Sequence, residues 1–117
     1  MPLSLTRSQQ FDELVGNAVD RLERSWAQEL NAIDVTVEDV PDPGRHPEPA
    51  PSTPLGRSDE ADGDRPARIV VYRRAVEARA RGERARELLV HEVVVEALAE
   101  LLGLDPATVD PDADSDI

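Results

Sequence analysis

From Ser8 onward, Phe11, Leu14, Val15, Ala18, Val19, Leu22, Trp26 and Leu30 recur at three- and four-residue intervals, while Asp12, Glu13, Asp20, Arg21, Glu23 and Arg24 fall between them. That spacing places the apolar set on one face of a helix and the charges on the other. Thr6 or Ser8 stands where a hydroxyl caps the first free amides, and the polar Gln28, Glu29 and Asn31 predict an end before Ile33. Ile33, Val35 and Val37, extended to Val40, then alternate with Asp34, Thr36, Glu38 and Asp39. This period of two predicts a strand with one buried face, ended by Pro41.

Residues 41–66 break every pattern. Pro41, Pro43, Pro47, Pro49, Pro51, Pro54 and Pro66, with Gly44, Gly56, Gly63 and many acids, leave little apolar area to offset the entropy of ordering. A long flexible acidic loop is expected, in which Leu55 of Thr53-Pro54-Leu55-Gly56-Arg57 is the one candidate for a core contact or a short edge strand.

Ala67-Arg68-Ile69-Val70-Val71-Tyr72-Arg73 predicts a second strand, and its nearly continuous apolar run implies burial on both faces. The arginines 73, 74, 79, 81, 84 and 86, interspersed with Glu77, Glu83 and Glu87, predict a solvated surface crossing a turn near Gly82. A long helix follows from Glu83 to Leu102, where Leu, Ala, Glu and Arg outweigh the strand tendency of Val93-Val94-Val95. Gly103 supplies its left-handed stop and Pro106 forbids continuation. The aspartates 105, 110, 112, 114 and 116 give the remainder the character of an acidic tail, with disorder expected beyond Val109.

At 117 residues this is material for one domain with a modest, mainly aliphatic core, since Trp, Tyr and Phe occur once each. The formal charge of −12 opposes phosphate backbones and anionic lipid heads, so neither nucleic acid nor a membrane surface is expected as a partner. No cysteine is present, which removes disulfides, thiolate zinc sites and cysteine nucleophiles and leaves histidine and carboxylates as metal ligands. The first residues lack an apolar leader core, and a cytoplasmic protein is the expectation. No glycine-rich phosphate loop occurs, and none of the serines stands in a nucleophile motif.

Chemistry concentrates on the last helix. At about 100° per residue, Glu92, Glu96 and Glu100 form a narrow stripe beside a wide apolar arc of Val90, Val93, Val94, Ala97, Leu98, Leu101 and Leu102. Such a stripe faces solvent, pairs with arginine or coordinates a cation, because an unpaired buried charge is too costly. His91-Glu92 begins like H-E-x-x-H, in which two histidines one turn apart hold zinc and the glutamate activates its water. The second ligand position in that register is Val95, which has no donor atom.

The order of elements, with Val37-Glu38-Asp39, the strand end Ile69-Val70-Val71-Tyr72-Arg73-Arg74 and a long helix closing on Leu102-Gly103-Leu104-Asp105, resembles the minimal zincin-like metallopeptidase family between about Phe11 and Asp105. The resemblance implies an α+β fold: an N-terminal amphipathic helix, a small sheet and a long C-terminal helix in the metal-helix position. It implies a domain over 8–105 containing the 41–66 loop, after an N-terminal extension over 1–7 and before a tail over 106–117. Anchored on Gly103-Leu104, the family motif falls on Glu96-Ala97-Leu98-Ala99-Glu100. Glu96, Glu100 and Asp105 then stand at the metal-ligand positions, toward zinc or another divalent cation, and Ala97 stands where the catalytic glutamate belongs. Losing a positioned base costs on the order of a hundred- to ten-thousandfold in rate. The expectation is a family member with an eroded, inactive peptidase site that meets a peptide or protein. The alternative is a non-catalytic interaction module using the helix groove or the acidic loop and tail. The width of the apolar arc leaves the oligomeric state open.

Overall fold

The protein is seen in a computed structural model that describes residues 6–40 and 54–111. Among them the chain forms α1 (Arg7–Asn31), β1 (Ile33–Glu38), β2 (Gly56–Asp59), β3 (Ala67–Tyr72), α2 (Arg73–Arg79), α3 (Glu83–Leu102) and α4 (Pro106–Val109). The fold is α+β, with a small sheet and the long helix the sequence predicts. The loop prolines from Pro41 to Pro51, His46, and the tail residues Asp112, Asp114 and Asp116 lie outside the described residues.

α1 begins in a reciprocal cap. The Thr6 hydroxyl accepts the Gln9 amide at 3.1 Å, and the Gln9 side-chain oxygen accepts the Thr6 amide at 2.9 Å. Two amides that the first turn would leave open are thereby satisfied. Phe11, Val15, Ala18, Leu22 and Leu30 are the buried stripe of this helix, as their spacing requires.

The described strands form one sheet in the order β1-β3-β2. β3 is central, parallel to β1 and antiparallel to β2, with Val35 opposite Ile69 and Ser58 opposite Ile69 on the other side. Ile69, Val70, Val71 and Tyr72 have no exposure, the two-faced burial that a continuous apolar run implies. β1 is at one edge of the described sheet, its Ile33, Val35 and Val37 pack half-buried against the core, and Val40 lies beyond it, 55 % exposed. Pairing with β3 makes Gly56–Asp59 a strand although it carries no apolar side chain, so residues 41–66 are not loop throughout.

Two further segments depart from the sequence reading. Arg73–Arg79 coils into α2, whose Val76 is buried and whose Arg73 binds Asp39 at 3.0 Å and Glu77 at 3.1 Å. Arg73 thereby ties the end of β1 to the start of α2, and its hydrogen bond holds the Asp39 carboxyl below the usual carboxylate range. Residues 106–110 are folded as well: α4 buries Val109 against the body of the domain.

α3 is apolar over most of its circumference, with Val90, Val93, Val94, Val95, Ala97, Leu98 and Ala99 buried. It packs on β2 and β3 on one side and on α1 and α4 on the other. Its end is the predicted glycine stop: Gly103 sits at φ 68°, and the Leu104 amide reaches back to the Ala99 carbonyl at 2.9 Å.

Candidate functional site

The two registers of the long helix face different surroundings. His91 turns toward α1 and the C-terminal segment, in a hollow with Arg21, Arg24, Ser25, Trp26, Val109 and Asp110. Its Nε2 lies 2.6 Å from Asp110 Oδ2, so that nitrogen carries the proton and the carboxylate accepts it. Beside this contact the Trp26 indole N–H donates to the Val109 carbonyl at 2.8 Å. Val95, one turn beyond His91, is 5 % exposed within the core. His91 is therefore a clasp for the C-terminal segment, and its surroundings hold Val95 where a second ligand would be needed.

This clasp has a direct readout, because Trp26 is the one tryptophan of the chain. Replacing His91 by alanine leaves the Asp110 carboxylate half-buried without its donor, which should cost about 1.5–3 kcal/mol. The Trp26 emission should shift to longer wavelength as Val109 detaches and water reaches the indole. Chemical denaturation followed by fluorescence measures both, and an unchanged native emission would show that Val109 alone holds the segment down.

The other face of α3 opens beside β2. Leu55, Gly56, Arg57 and Ser58 form one wall of a groove, and Val93, Glu96, Ala97 and Glu100 form the other, around about 200 Å³ of free space. Glu96 and Glu100 are exposed, whereas Ala97 between them is buried at the groove floor. Glu92 is also exposed but does not line the groove. Asp105 precedes α4 as its N-cap residue, exposed and outside the groove lining. Among the described residues no three His, Cys, Asp or Glu side chains come together as a group able to hold a metal ion.

Gly56 lets the two walls approach. A Cβ built there would lie 2.6 Å from the Val70 carbonyl oxygen and 2.7 Å from a Val93 methyl, both far inside contact distance. Strand and helix touch at this point through a residue without a side chain, which fixes the narrow end of the groove.

Arg57 closes the sheet end. Its Nη1 donates to Tyr72 Oη at 2.6 Å, its Nε meets Asp59 at 3.1 Å, and Glu38 lies 3.6 Å away. Burial works against this charge, but the bonds to Tyr72 and Asp59 outweigh it and raise the guanidinium's affinity for its proton. The segments that carry the family resemblance thus meet through two arginines: Arg57 pairs with Glu38 and donates to Tyr72, and Arg73 pairs with Asp39. They are scaffold, holding the three strands in register beside the groove.

The sequence singled out Glu96, Ala97 and Glu100, and all three line one groove. It did not single out Arg57, Ser58 or Asp110, which reach their places through strand pairing and a contact spanning nineteen residues. The signal for the β2 wall was Leu55, the one candidate for a core contact or a short edge strand, and it does pack against the core immediately before β2.

No described helix is long and apolar enough to cross a membrane. A comparison with curated proteins finds no match. A scan against protein families matches residues 30–114, from the last turn of α1 through α4 and beyond, to the zincin-like metallopeptidases. With that match covering most of the chain, and with strands, long helix and glycine stop in the expected order, the chain belongs to the zincin-like metallopeptidase family.

Proposed function

We propose that this family member binds an extended peptide in the groove between β2 and α3 and does not hydrolyse it. The observation that carries this reading is Ala97, buried on the groove floor at the position where the family motif places its general base. A methyl group accepts no proton from a water molecule, and Glu92, the other acid nearby in sequence, lies outside the groove. Among the described residues the donor set does not fit a catalytic zinc ion either. Such an ion takes three protein ligands and keeps a fourth position open, whereas Glu96 and Glu100 are two carboxylates with Asp105 outside the groove. What the groove retains is its strand edge and its charge.

The full chain, incubated in turn with zinc, cobalt and manganese and a library of quenched fluorescent peptides, should release no signal above a metal-only control. Metal-dependent cleavage would overturn the reading. So would stoichiometric zinc in the purified protein that disappears when Glu96 and Glu100 are both changed to alanine. The acidic segments 41–53 and 112–117 lie outside the described residues, and the groove is the surface on which the proposal rests.

A further inference from the structure

The two walls of the groove differ in chemistry. β2 is bonded to β3 on one side and to no described strand on the other, so among the described residues it is an open strand edge, and its Gly56, Arg57 and Ser58 also line the groove. Such an edge accepts an added strand. Opposite it stand Glu96 and Glu100, exposed, one helical turn apart, and without an ion-pair or hydrogen-bond partner among the described residues. Arg57, the cation on the rim, is already balanced by Asp59 and Glu38 and is 14 % exposed. Among the described residues the groove's negative charge is therefore uncompensated.

Size narrows the occupant. Sites for whole small molecules run to about 300–1,000 Å³, and this groove offers about 200 Å³. It suits one side chain presented by an extended backbone. Side chains four residues apart on a helix stand about 5–6 Å from one another at Cβ. A planar guanidinium, with five donors, or an ammonium, with three, spans that gap and meets both carboxylates. The net charge of −12 also draws cationic segments toward the chain.

Resting on the peptide-binding reading above, we propose that the groove selects a partner protein's extended segment carrying arginine or lysine. Its backbone adds to β2, and its cationic head seats between Glu96 and Glu100, over Ala97. Carboxylates at the family's ligand positions thereby recognise an organic cation.

Two fluorescein-labelled heptapeptides of alternating valine and threonine, one with arginine at the centre and one with glutamine, test this by fluorescence anisotropy on the full chain. The arginine peptide should bind about tenfold or more tightly than the glutamine peptide, the scale of a charge-assisted hydrogen-bond pair. Changing Glu96→Gln and Glu100→Gln together should remove that preference and leave the glutamine peptide's affinity unchanged. Asp20→Asn with Glu23→Gln removes the same charge from the exposed face of α1 and should alter neither affinity. Equal binding of the two peptides, or an equal loss in the α1 variant, overturns the cation selectivity while leaving the peptide groove in place. If neither peptide binds, the peptide-binding reading falls and this inference falls with it.

Discussion

Changing Gly56 to alanine should lower the unfolding midpoint by roughly 5–20 °C, from an overpacking cost of about 1–3 kcal/mol and the usual temperature equivalence for a domain of this size. Two atoms stand in the way of the new methyl group. The Val93 methyl, at 2.7 Å, belongs to a side chain; the Val70 oxygen, at 2.6 Å, belongs to the backbone of the central strand. A second change, Val93→Ala, removes the first obstacle and leaves the other. It should therefore restore only part of the loss, and thermal unfolding of the two single variants and the double variant separates the terms. Full rescue would mean that β3 yields at Val70. Because β2 must move outward to relieve the clash, the same substitution should also reshape the groove wall and weaken the arginine peptide, even at temperatures where the variant stays folded.

The contrast between Gly56 and α3 explains what could be read from the chain in advance. α3 was legible to its boundaries, Glu83 and Leu102, because twenty residues of helix-forming composition end on Gly103 and Pro106. β3 was legible because four successive residues with no exposure leave a continuous apolar run. β2 has the composition Gly-Arg-Ser-Asp and owes its existence to the partner strand, a non-local cause that no pattern within four residues records. α2 is seven residues long with a single buried side chain, too short for a periodicity to emerge. α4 rests on one buried valine and on the hydrogen bonds of Trp26 and His91, contacts made far along the chain.

The site divides in the same way. The glutamate stripe follows from helical geometry alone, and its exposure follows from the cost of burying charge. Which of the stripe's residues border a groove depends on where β2 lies, and that places Glu96 and Glu100 in it and Glu92 outside. His91 was legible as the first residue of an incomplete H-E-x-x-H motif whose second ligand position is Val95. Its partner Asp110 was not, since an aspartate in an acidic segment carries no sign of which side chain it will meet.

Leu98 and its two neighbours in the stripe supply the sharpest separation of fold from function. Leu98 is fully buried between the exposed Glu96 and Glu100. Truncating it to alanine should cost about 2–5 kcal/mol, the range for a large aliphatic side chain removed from a packed interior. Glu96→Gln with Glu100→Gln keeps side-chain shape on the solvent face and should stay within about 0.5 kcal/mol of the parent per substitution. Urea denaturation compares them directly. At a temperature where the Leu98→Ala variant still folds, it should keep its preference for the arginine peptide, because both carboxylates remain. The double glutamine variant should keep its stability and lose the preference. If the carboxylate pair instead proved necessary for folding, the two glutamates would belong to the scaffold, as Glu38 and Asp39 do. Strand and helix would then meet there without a recognition site between them.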